Sequence, residues 1–124
     1  MDKPEHFEIL FTHAVFRPTG EVSLEQAERL VTSALAFARE QDVRRVLLDI
    51  TGLTGFKSPD TAARYLLVQE WARAADQRVR LAFVSRPEMI DPQKAGVAAA
   101  RSFGLVGDIF ESEGEALAWL LRAQ

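Results

Sequence analysis

The 124-residue sequence predicts a single small α/β domain spanning residues 1–124, with a mostly parallel sheet of four to five strands and about four helices in the order ββαβαβαβα. Three observations carry this reading. Apolar runs of strand length recur near residues 7–16, 43–50, 78–85 and 106–110, longer stretches with helical spacing separate and follow them, and capping or turn residues mark the junctions. Strands that alternate with helices need crossover connections, and crossovers place successive strands parallel.

Residues 7–12 alternate, with Phe7, Ile9 and Phe11 against Glu8, Leu10 and Thr12, and Val15 and Phe16 continue the pattern. Two short strands, or one bulged strand, therefore come first, the first as an antiparallel edge. Pro18, Thr19 and Gly20 signal a turn. Ser23 and Gln26 have the spacing of a capping box, so a helix starts at Leu24 and runs to about Gln41. Its apolar stripe is Leu24, Ala27, Leu30, Val31, Ala34, Leu35 and Ala38. Residues 43–50 are apolar at consecutive positions, as in a strand covered on both faces.

The stretch 46–60, VLLDITGLTGFKSPD, is the centre of the chain's chemistry: a buried strand ending in Asp49, a glycine-bearing loop, and a helix start. Ser58 reads as the N-cap, Pro59 as the first helical residue and Asp60 as the acid of the first turn. The helix continues to about Ala75 on a stripe of Ala63, Leu66, Leu67, Trp71 and Ala74. Ala62, Tyr65, Val68 and Ala72 add apolar surface beyond that stripe. The flank around Tyr65, Val68 and Trp71 is expected to meet a second subunit or a small ligand, the alternative being a long loop that covers it.

A strand follows at 78–85, and Pro87 prevents its continuation. Asp91 and Pro92 repeat the Ser58-Pro59 device, with a capping side chain followed by proline at the first helical position. That helix runs to about Phe103 and Gly104 closes it. A last strand at 106–110 precedes a second capping box, Ser112 with Glu115, and a final helix with Ala116, Leu117, Trp119, Leu120 and Leu121 as its apolar residues.

At 48% hydrophobic and 27% charged residues, the composition is that of an ordinary globular protein with enough apolar surface for a core. No apolar run approaches the roughly 20 residues that span a bilayer. The start, MDKPEHFE, lacks a secretory pattern, and a cytoplasmic location is expected. The absence of cysteine excludes disulfides and thiolate sites. A net charge of −3 gives no support to nucleic-acid binding.

The loop Gly52-Leu53-Thr54-Gly55-Phe56-Lys57-Ser58 occupies the place of a phosphate-binding P-loop without its spacing, because Phe56 separates Gly55 from Lys57. His6 and His13, both near the start, have no metal-binding spacing, and no Gly-x-Ser-x-Gly elbow is present. No catalytic constellation, metal site or cofactor is assigned, and the expectation is a protein that is not an enzyme. The loop at 85–94 carries Arg86, Glu88, Asp91 and Lys94 and should emerge at the same sheet end as Asp49, Thr51, Gly52 and Lys57. Together they form a candidate anion or partner loop, the alternative being charges that pair with one another and with water.

The run Asp49-Ile50-Thr51-Gly52-Leu53-Thr54, with Ser58 shortly after it, resembles the STAS group, the anti-sigma-factor antagonists and their SpoIIAA-like relatives. The closing Glu115-Ala116-Leu117-Ala118-Trp119-Leu120 is similar to the last helix of SpoIIAA-like, STAS/SEC14-type proteins. The resemblance implies a regulatory interaction module, expected as a homodimer, with an anti-sigma-like protein or a kinase as partner. It implies Ser58 as a phosphorylation site, with Thr61 as second choice; the residue before Ser58, Lys57, is a base where the family has an acid, and a phosphate at this helix start could pair with it. Its SEC14-like side implies instead a small-ligand or lipid-binding module. Phe56, Tyr65, Leu66, Val68, Trp71 and Met89 are the candidate apolar pocket or dimer face.

Overall fold

The structure is a computed structural model that describes residues 2–122. Among them the chain forms β1 (Phe7–Ile9), β2 (Ala14–Phe16), β3 (Gly20–Glu21), α1 (Leu24–Glu40), β4 (Arg45–Asp49), β5 (Leu53–Thr54), α2 (Thr61–Ala75), β6 (Arg80–Val84), α3 (Ala95–Ser102), β7 (Gly107–Phe110) and α4 (Glu113–Leu120). Five strands make one sheet in the order β1-β2-β4-β6-β7, antiparallel only at β1 and parallel throughout the rest. This is a small α/β domain with four helices and a mostly parallel sheet, as the alternation of apolar runs predicts, with β1 as the antiparallel edge.

Central β4 shows why the domain has three layers. Val46 and Leu48 face a core shared with α1, α2 and α3, while Leu47 faces a smaller core under α4 with Val15, Ala82, Val84, Ala116 and Leu120. Successive strand residues point to opposite faces, so an unbroken apolar run demands cover on both. Helix α4 is held by this burial more than by its cap: Leu120 is fully buried, worth about 2 kcal/mol, against about 1 kcal/mol for the Ser112 hydroxyl that accepts from the Glu115 N–H.

Helix α1 starts as its capping box requires, with Ser23 and Gln26 satisfying each other's backbone N–H. Two other helix starts correct the sequence reading. The N-cap of α2 is Asp60, whose carboxylate accepts the Ala63 N–H at 2.8 Å; Ser58 and Pro59 precede the helix. A charged acceptor at a helix N-terminus outcompetes a hydroxyl, and the Ser58 hydroxyl is engaged elsewhere. Helix α3 begins at Ala95, not at Pro92. Residues 91–94 form a turn closed by the Lys94 N–H on the Asp91 carbonyl, and the Asp91 carboxylate reaches across it to the Ala95 N–H at 2.7 Å. Asp91 is therefore a capping side chain, and Pro92 is a turn residue. Gly104, at φ +85°, closes α3 as predicted.

The core stripe of α2 is also displaced from the sequence reading. Leu67, Val68, Ala72 and Ala75 are buried, Leu66 is 61% exposed, and Tyr65 lies outside against Phe103. The loop 52–58 contains a strand the alternation does not reveal: β5 pairs with β3 in a two-stranded parallel ribbon. Its glycines permit this close approach. A Cβ at Gly52 would stand 2.9 Å from Thr19 Cγ2, and one at Gly55, where φ is +99°, would stand 2.7 Å from the Val22 carbonyl oxygen.

The two readings of the α2 start separate by mutation. Asp60→Ala is expected to cost about 1 kcal/mol in chemical denaturation, and Ser58→Ala less than about 0.5 kcal/mol. A larger loss for Ser58→Ala would restore Ser58 as the cap.

Candidate functional site

Three helices share one face of the sheet, and they do not close completely against it. Between α1, α2, α3 and strands β6 and β7 lies a cavity of about 120 Å³. Val31 of α1, Leu67, Val68 and Trp71 of α2, Ala100 of α3, and Leu81 and Phe83 of β6 form its apolar walls, and Phe56, Pro59 and Met89 reach it from the two loops. Small residues make the room. Ala27 and Ala100 line it where longer side chains would fill it, and Gly96 lets α3 approach α2 so closely that a Cβ there would meet Arg64 Cδ at 3.2 Å.

The charged residues Glu28, Arg64, Asp91, Lys94 and Asp108 also line the cavity, and two further polar groups, from Trp71 and Ser85, interrupt its apolar wall. Trp71 stacks on Phe83, centroids 5.4 Å apart and planes at 24°, and its buried indole N–H has no protein partner. Ser85, at the end of β6, is buried while its N–H is taken by the Phe110 carbonyl. A buried donor left without an acceptor costs about 1–3 kcal/mol.

Of the predicted apolar residues, Phe56, Val68, Trp71 and Met89 line this cavity. Tyr65 and Leu66 do not, because their side of α2 faces outward. Their assignment to a pocket is corrected. Ser85 was not singled out from sequence.

The predicted loop residues gather at the C-terminal end of the parallel strands. Ser58 is exposed before α2, and its hydroxyl accepts a hydrogen bond from Arg64 Nη2 at 2.8 Å; the same guanidinium also bonds the Pro59 carbonyl and lines the cavity. Thr61 is the exposed first residue of α2, and Lys57, Thr51 and Gly52 are exposed on the loop. In the second loop, Arg86 donates to the Leu53 carbonyl, Lys94 pairs with Asp108 at 3.0 Å, and Glu88 lies exposed in the short 3₁₀ turn Pro87–Met89. The α2 and α3 N-termini are each served by a carboxylate of their own, Asp60 and Asp91.

Asp49 belongs to a cluster that sequence separation hides. Its carboxylate accepts from the Thr51 N–H and hydroxyl, and it faces Glu113 at the start of α4, which is gripped by Arg17 in a two-pronged pair with both contacts at 2.7 Å. Burial and the neighbouring Glu113 push the Asp49 carboxyl above its ordinary pKa, against the Thr51 donors. The Arg17 guanidinium, helped by the bond to Asp49, holds Glu113 at about 2. Asp49 and Glu113 therefore titrate as an interacting pair, the Asp49 pKa raised and the Glu113 pKa lowered. Among the described residues, no group of three or more His, Asp or Glu side chains could hold a metal ion.

The family profile described as SpoIIAA-like matches residues 14–121, from β2 to the end of α4. The chain belongs to the SpoIIAA-like family. The match covers all the helices and the parallel strands, and with them both loops of the site, and SpoIIAA-like proteins are of STAS type, a class of regulatory and interaction modules. No curated protein matches the chain. Among the described residues, no helix of this SpoIIAA-like protein is long and apolar enough to cross a membrane.

The carboxyl pair gives a pH signature. Because folding raises the Asp49 pKa, the stabilisation from its protonation is full at low pH and is lost as pH rises through the folded value. Glu113 has the opposite sign, its contribution being full above its unfolded pKa and lost as pH falls towards about 2. Asp49→Asn keeps an acceptor for Thr51 and offers Glu113 a permanent donor. It is expected to raise Tm by roughly 2–5 °C at pH 7, the gain vanishing as pH falls towards 3. A lower Tm at pH 7 in a thermal scan would contradict the raised Asp49 pKa.

Proposed function

We propose that this protein is a non-enzymatic STAS-type regulatory module whose input is a small, largely apolar molecule held between the sheet and helices α1, α2 and α3. The observation that carries the proposal is the cavity of about 120 Å³, walled by Val31, Leu67, Val68, Trp71 and Phe83. Interiors are normally packed without such space, and an apolar void at a concave site is the usual form of a ligand pocket. Phe56 and Met89 connect the occupant to the two surface loops. An occupant that moves Phe56 moves the solvent-exposed positions Gly55, Lys57 and Ser58, where a protein partner would dock. Tyr65 and Leu66, exposed on the adjoining side of α2, extend that docking face to a protein partner or a second copy.

Titration with the apolar dye 1-anilinonaphthalene-8-sulfonate tests this. Saturable dye fluorescence with quenching of Trp71 is expected, and Ala100→Leu, which fills the cavity from α3, should weaken binding by about tenfold, equivalent to about 1.4 kcal/mol, while unfolding with unchanged cooperativity. Equal binding by the variant would place the dye elsewhere and overturn the proposal.

A second reading, regulation by phosphorylation of Ser58, is favoured by one contact: Arg64 Nη2 already stands 2.8 Å from the Ser58 hydroxyl. A phosphate there would meet Arg64 and Lys57, while the nearby Asp60 carboxylate would oppose it. Since Arg64 also lines the cavity, the modification would alter its mouth. Phosphopeptide mass spectrometry on protein from its own host is expected to find the modified Ser58. An unmodified residue under all growth conditions would remove this reading.

A further inference from the structure

The chain carries a net charge of −3, yet arginines crowd the opposite end of the sheet from the loops described above. The three connections that lead from a helix into β4, β6 and β7 meet there around an open cleft of about 650 Å³, with Arg39, Arg44, Arg78 and Arg80 in its wall. Arg45 and Arg122 are close enough to Arg80 that they, after burial itself, lower its pKa.

Pairing within the chain does not account for this charge. Asp42 is the carboxylate in the wall, and Asp76 approaches Arg78 only to 3.8 Å with both side chains more than half exposed. Such a contact contributes little. Among the described residues Arg44, Arg45 and Arg80 have no ion pair, and Arg80 Nε is buried without a hydrogen-bond partner while its guanidinium lies 4.6 Å above the Trp119 ring. Helix ends explain Arg39, which donates to the Ala74 carbonyl at 3.1 Å near the end of α2. They do not explain Arg44 and Arg45 at the entrance to β4, or Arg78 and Arg80 at the entrance to β6.

We propose that this cleft binds a compact phosphate-bearing anion, held by Arg44, Arg78 and Arg80, with Val43 and Val106 available to its uncharged part. Guanidinium forks match the paired oxygens of a phosphate, and clustered like charges are relieved by an anion of more than one charge. The excess of acids elsewhere on the chain disfavours an extended polyanion such as nucleic acid. The site lies at the other end of the sheet from the loops at 52–58 and 85–94, and it rests on arginines that do not line the apolar cavity.

The test is a ¹H–¹⁵N NMR titration of the full chain with sodium pyrophosphate at constant ionic strength. Saturable shifts are expected at the amides of residues 42–44, 77–80 and 104–106. Arg44→Ala and Arg78→Ala should each weaken binding about tenfold, the loss of a charged hydrogen bond. Arg29→Ala, which removes the same charge from the outer face of α1 where Arg29 pairs with Glu25, should leave the affinity unchanged. Absence of saturable shifts, equal shifts with sulfate, or equal weakening by Arg29→Ala would overturn the proposal.

Discussion

Val46, Leu47 and Leu48 of β4 must be covered from both sides, and the rest of the molecule follows from how that cover is divided. All three are at most 2% exposed at the middle of a five-stranded sheet. One face receives α4 alone, close-fitting through Ala116 and Leu120. The other receives α1, α2 and α3, and three cylinders on a twisted surface leave space where alanine and glycine stand at the junctions. The cavity is therefore a consequence of the sheet's three-to-one division of helices, placed where Ala27, Gly96 and Ala100 meet.

The same division sets the character of the two sheet ends. At the C-terminal end of the strands, carboxylates are bound tightly to the chain itself: Asp60 and Asp91 cap helices, Asp49 accepts from Thr51, and Glu113 is held by Arg17. Leu53 and Thr54 are held there by β5 against β3, and Phe56 follows them into the cavity wall. At the N-terminal end the balance reverses, and arginines outnumber acids around an open cleft.

The fold was legible in the sequence because its signals are local. Consecutive apolar residues at 46–48, the Ser23/Gln26 capping box and Gly104 each act within a few residues of themselves, and each is found where the pattern places it. The α2 start was misplaced because Ser58-Pro59-Asp60 offers two caps, and the choice depends on Arg64, which takes the Ser58 hydroxyl. Leu66 was placed in the core because periodicity does not say which of two adjacent stripes the sheet will cover; the sheet covers the one through Val68. Of the site, Val68 and Trp71 are visible as apolar excess on α2, and Phe56 and Met89 through the family resemblance. The Arg17–Glu113 pair joins residues 96 positions apart, and the arginine cleft is assembled from three separate connections, so neither leaves a mark in any short window.

The central claim is that the space beside Trp71 is a ligand site and not a packing defect. Native mass spectrometry of protein captured gently from its own host tests it most directly. The expected result is a species heavier than the bare chain by one small molecule, absent from the Ala100→Leu variant prepared in the same way. A bare chain under every gentle condition, indistinguishable in occupancy from that variant, would contradict the account.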